Sequence, residues 1–183
     1  MADQLKWFRR HEAVHMLKRN TQLILSGVIE SASPFRESAL IELSINSYEL
    51  NKYCENVGMP ISGAHDLTGP GVSSVADLIK RFRNAYAHTS TTEIKNFEQN
   101  AGRMSMNVFS GKVNGIAFGD TVLGCPYEDD IGINFGAYVI LVARHLCFAH
   151  NHAAKILTAD GEGSPHEQIA LFNHPALSAP GLN

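Results

Sequence analysis

Asn134-Phe135-Gly136-Ala137-Tyr138-Val139-Ile140-Leu141-Val142-Ala143-Arg144-His145-Leu146-Cys147-Phe148 is the stretch whose reading decides the fold. Continued to about residue 157, it reads as one helix that is apolar around much of its girth. Ala137, Tyr138, Ile140, Leu141, Val142, Leu146 and Phe148 supply that surface. Such a helix belongs in the middle of a bundle. Its longest unbroken apolar run, Ala137 to Ala143, is far too short to cross a bilayer.

Three helices are expected ahead of it. The first covers about 3–27, with Trp7, Val14, Leu17, Thr21, Ile24 and Val28 recurring every three or four positions. The second covers about 33–57: Ser33 suits an N-cap, Pro34 the first helical position, and Gly58 with Pro60 a stop. A Gly- and Pro-rich loop leads to the third, about 73–88, whose buried side carries Val75, Leu78, Ile79, Phe82 and Ala85. Between the third and fourth, Val113-Asn114-Gly115-Ile116 signals a small β-hairpin, inserted at about 104–122 with Asn-Gly at a type I′ turn. Ser164-Pro165-His166-Glu167 reads as a capping box opening a short last helix through Phe172, and 173–183 as a loose tail. The expected fold is mainly α: one domain over 1–183, an up-down four-helix bundle with an inserted hairpin and a short C-terminal helix.

At 44% hydrophobic and 18% charged, the chain has the composition of a globular domain rather than a disordered one. A net charge of −3 excludes a generally basic coat for nucleic acid, but it allows local patches. Two are visible: Lys6, Arg9, Arg10, Lys18 and Arg19 near the start, and Lys80, Arg81 and Arg83 before the polar run Thr89-Ser90-Thr91-Thr92. Met1 to Trp7 lacks the apolar core of a signal peptide, and Cys54, Cys125 and Cys147 form no C-x-x-C pair. A cytoplasmic protein with reduced thiols and no membrane partner is expected.

His11-Glu12-Ala13-Val14-His15 matches H-E-x-x-H, the zinc-hydrolase spacing, but His11 falls on the expected apolar seam and no third ligand follows. His145, His150 and His152 crowd the fourth helix at spacings that suit one ion poorly. No metal and no cofactor is called for. Several arginines precede a histidine by a short interval, among them Arg10–His15, Arg83–His88 and Arg144–His150, each with a polar residue after the arginine. The first lies mid-helix. The last lies in the most apolar segment, where an unpaired arginine is costly to bury. Arg83–His88 sits at a helix end opening onto a polar loop, where a guanidinium can meet phosphate and an imidazole can move a proton.

Arg83-Asn84-Ala85-Tyr86-Ala87-His88 resembles the R-x4–6-H motif of the HEPN superfamily, in the R-N-x-x-A-H form seen in bacterial members. The resemblance implies a metal-independent endoribonuclease, acting as a homodimer with a composite site. His88 would be the general base or acid, Arg83 the phosphate ligand, and Asn84 the group that orients one or the other. Lys80, Arg81 and Tyr86 would hold the RNA, and the products would carry 2′,3′-cyclic phosphate and 5′-hydroxyl ends. Members of this kind work in toxin–antitoxin and phage-defence systems, with an antitoxin or regulatory protein as partner. Here Ser90 stands where some toxin members have a modified tyrosine. The alternative is a HEPN-like module that binds nucleotide or RNA, or only dimerises, without cutting.

Overall fold

A computed structural model describes residues 2–87, 107–118, 121–159 and 169–178. Within them lie four α-helices and two small antiparallel sheets. Helix α1 is Ala2–Leu25, α2 Arg36–Asn56, α3 Val75–Ala87 and α4 Phe148–Ala159. The strands are β1 Asn107–Ser110, β2 Val113–Phe118, β3 Thr121–Cys125, β4 Ile131–Phe135 and β5 Tyr138–Leu141. One sheet has the order β1-β4-β5 and the other pairs β2 with β3. None of the described helices is long and apolar enough to cross a membrane.

The first three helices fall close to where the sequence puts them, and their ends explain why. Ser33 does not cap α2 itself. Its hydroxyl accepts the Phe35 N–H, and the helix begins two residues later than expected, at Arg36. At the other end Gly58 takes φ +77, the left-handed value that glycine adopts without strain, and the Met59 N–H reaches back to the Cys54 carbonyl. In α3 the Ser74 hydroxyl accepts the Asp77 N–H three residues on, which is an N-cap bond. Helix α2 packs against α1, α3 and α4 together.

The fourth helix departs from expectation over its first eight residues. Asn134 to Leu141 completes β4, turns at Gly136-Ala137 with Gly136 at φ +61, and returns as β5, pairing Phe135 with Tyr138 and Ile133 with Ile140. Side chains alternate along β5: Tyr138 and Ile140 enter the main core, while Val139 and Leu141 meet Cys125 in a second cluster. A strand buried on both faces shows no polar period, so its sequence looks like a buried helix. Helical structure starts at Val142, wound as a π-helical turn through Cys147 before α4 proper.

Two further expectations change. Asn114-Gly115 lies inside β2, not at a turn; the β2–β3 ladder is irregular between Val113 and Ile116, so the pair marks a bulge. A side chain on Gly124 would strike the Val113 carbonyl oxygen at 2.5 Å, so the two backbones can approach only because that residue is glycine. The hairpin ends at 104–106 and 119–120 lie outside the described residues, as do 160–168, with Ser164 to Glu167, and 179–183. Residues 169–172 are not helical: Asn151 of α4 grips Phe172 through both its N–H and its carbonyl, at 2.9 and 2.8 Å. Part of the expected loose tail is ordered too, as the short 3-10 turn Pro175–Ser178.

Candidate functional site

Arg83 and Asn84 stand near the C-terminal end of α3, both half-buried. Arg83 Nη1 donates to Asn84 Oδ1 at 3.2 Å, and its guanidinium carbon lies 5.1 Å above the ring of Tyr48 on α2. The negative face of the ring attracts the cation. His88, the third residue expected there, lies outside the described residues.

Two of the residues expected to hold substrate do other work. Tyr86 is buried, 5% exposed, with its ring edge-on to Phe82 at 4.8 Å; burial pushes its phenol well above the ordinary range. It belongs to the core face of α3, one turn beyond Phe82. Arg81 is tied down: it donates to Asp77, to the Tyr138 hydroxyl at 3.0 Å and to the Gly71 carbonyl, and lies over the Tyr138 ring. It fastens α3 to β5 and to the loop before α3. Lys80 alone of the three is exposed.

Arg10 and Arg144 are both engaged in holding the fold. Arg10 is only 9% exposed and donates to the Leu157 carbonyl at 3.0 Å, near the C-terminal end of α4; His15 faces solvent. Trp7 is 65% exposed and stacks on exposed His11, so neither packs on a buried seam; that seam runs through Arg10, Ala13, Val14, Leu17 and Asn20. Among the described residues no three His, Cys, Asp or Glu side chains gather as a metal site.

Arg144 is the centre of a polar cluster. It pairs with Asp130 and Asp129 at 3.0 Å each and with Asp66 at 3.6 Å, and lies 3.6 Å from the Tyr127 ring centre. Burial, then the hydrogen bond to Asp66, push the Tyr127 phenol up to about 12. Beside it, His145 Nδ1 accepts the Leu141 N–H at 3.0 Å, so the ring carries its proton on Nε2, facing the His65 carbonyl at 3.2 Å. Burial holds this imidazole down at about 4. His65 Nε2 in turn meets the Arg144 carbonyl at 2.7 Å. Most of these bonds tie the loop before α3 or the β3–β4 connection to the residues that lead into α4, while Leu141 joins them to the end of β5 and Tyr127–Asp66 joins the two connections to each other. His150 is buried too, bonded to the Ala170 carbonyl and edge-on to Phe172.

The sequence reading missed this cluster. Arg144 looked costly because its own segment offers no carboxylate; the signal was the acidic run Glu128-Asp129-Asp130 just upstream. Burial also raises the thiols of Cys54 and Cys147 to about 12, so neither is a ready nucleophile. No protein family, curated protein or solved structure matches the chain.

Proposed function

We propose that this chain is a metal-independent endoribonuclease of the HEPN type, centred on Arg83, Asn84 and His88. One observation carries the reading. Arg144 is held by three aspartates and Arg10 is buried against a carbonyl, while Arg83 lies half-buried over the Tyr48 ring and bonded to Asn84, near the end of α3 where the R-N-x-x-A-H motif falls. His88 takes the proton from a ribose 2′-hydroxyl, or returns one to the departing 5′-oxygen. The 2′-oxygen attacks the adjacent phosphorus, and Arg83 neutralises the charge that builds on the phosphate oxygens. The P–O5′ bond breaks, leaving a 2′,3′-cyclic phosphate and a 5′-hydroxyl, and DNA resists because it lacks the attacking oxygen.

In this reading α1 to α4 form a HEPN-like bundle, two copies face each other across the cleft, and the protein works in the cytoplasm. It acts as the toxin of a toxin–antitoxin pair or in phage defence, restrained by an antitoxin or regulatory protein. Purified protein incubated with labelled total RNA in EDTA, beside His88→Ala and Arg83→Ala, tests it. Cleavage by the wild type alone, with cyclic-phosphate ends, supports the enzyme. RNA bound but uncut in every lane identifies a binding module instead.

A further inference from the structure

Between α1 and α2 lies a groove of about 690 Å3, within the size range of ligand sites. Lys6, Arg9, Arg10 and Lys52 line it, against Glu12 and Glu49. That is a local surplus of positive charge on a chain whose net charge is −3. Lys6, Arg9 and Glu12 face solvent, whereas Arg10 is fastened to the Leu157 carbonyl and forms a fixed wall. Part of the lining is apolar: Ala13, Met16 and Val57, with Tyr53 beside them.

The groove is connected to Arg83. The Lys52 ammonium lies 5.7 Å from the centre of the Tyr48 ring, the same ring that carries the Arg83 guanidinium at 5.1 Å. Tyr48 is thus the shared neighbour of the motif arginine and a groove lysine. Lys52 also pairs with Glu55 at 2.7 Å, but both side chains are more than a third exposed, so a phosphate can compete for the ammonium.

We propose that this groove binds the backbone of a single-stranded RNA whose scissile bond lies at Arg83; RNA as the occupant rests on the ribonuclease reading above. The cations suit phosphates, while the tyrosine and apolar lining suit base faces. Glu12 and Glu49 would repel a bare polyanion, yet they can accept hydrogen bonds from ribose 2′-hydroxyls, which DNA lacks.

The test is fluorescence anisotropy of a short labelled mixed-sequence single-stranded RNA, titrated at rising salt with full-length His88→Ala protein. Arg9→Glu and Lys52→Glu are added to that background, with Arg9→Gln and Lys52→Gln as milder partners and thermal melts to confirm folding. Each reversal is expected to weaken binding several-fold and to lower the salt slope by about 1. The neutral variants should fall between, and DNA of the same sequence should bind more weakly. Unchanged affinity and slope in folded reversal variants overturns the proposal, as does a failure of the parent to bind RNA. Equal binding of DNA removes the role given to the two glutamates and overturns the choice of RNA. A dimer dissociated by Arg9→Glu with RNA affinity intact assigns the groove to a second copy and overturns it too. Cleavage by wild type with normal binding in the groove variants sinks the groove alone; lost binding in those variants without any cleavage by wild type sinks the nuclease alone.

Discussion

The Asp130 carboxylate receives the Arg144 guanidinium at 3.0 Å and also accepts the backbone N–H groups of Ala143 and Arg144, at 2.8 and 3.1 Å. It is therefore both counter-ion and remote N-cap for the last helix, where donors would otherwise lack partners. Its side chain is 0% exposed. Asp130→Ala leaves those donors and part of the arginine charge buried, and should cost ~3–5 kcal/mol in urea unfolding. Asp129→Asn, at a half-exposed carboxylate on the same arginine, should change little. Equal losses at both positions would refute the capping role.

Acid should weaken the fold through His145. Burial holds its imidazole at about 4, whereas an unfolded histidine titrates near 6.5. Between those values the unfolded chain binds more protons, so stability present above 6.5 is lost as pH falls toward 4. Burial lowers His150 as well, which acts in the same direction. From pH 7 to pH 5, His145 alone should account for about 2 kcal/mol. His145→Gln, whose amide oxygen can still take the Leu141 N–H, should flatten that slope. Parallel pH curves for wild type and variant in urea titrations would exclude His145 as the cause.

Thr68 covers the outer edge of β5, which has no strand partner on that side among the described residues. Its hydroxyl donates to the Val139 carbonyl at 2.8 Å and accepts the Val139 N–H at 3.1 Å. Thr68→Val keeps the shape and strands both groups, at a cost of ~1–3 kcal/mol. An uncovered edge also invites pairing with another chain, so light scattering on warming should rise earlier. Thr68→Ser should stay close to wild type in both assays. If serine behaves like valine, the hydroxyl is not what holds the edge.

Much of the helical architecture was legible in the sequence because its signals are local. Ser74 with Asp77, and Gly58 before Pro60, mark helix ends by chemistry that needs no tertiary context. Strand β5 was hidden because both its faces are buried: Tyr138 and Ile140 on one side, Val139 and Leu141 on the other. Trp7 was misassigned because Arg10 takes the buried place beside Ala13 and Leu17, and no hydrophobic period anticipates a buried arginine. Tyr86 could have been placed correctly, since it stands four residues after Phe82 on the face already read as core. Arg144 needed contacts across the chain, from Asp66 in one loop and Asp129 and Asp130 in another.

Replacing Arg83 by lysine separates chemistry from charge. Lysine keeps the cation but loses the planar fork that lies over Tyr48. If the guanidinium stabilises the phosphate in the transition state, Arg83→Lys should lower kcat by about 100-fold or more. KM should move little, because a lysine still attracts the RNA backbone. His15→Ala tests the competing pair on α1: His15 is exposed, so the change should be within about 0.5 kcal/mol in stability. It should leave cleavage untouched if Arg83 and His88 form the centre. The contrast matters more than either value. A cleavage rate that survives Arg83→Lys and collapses in His15→Ala would move the centre to the first helix.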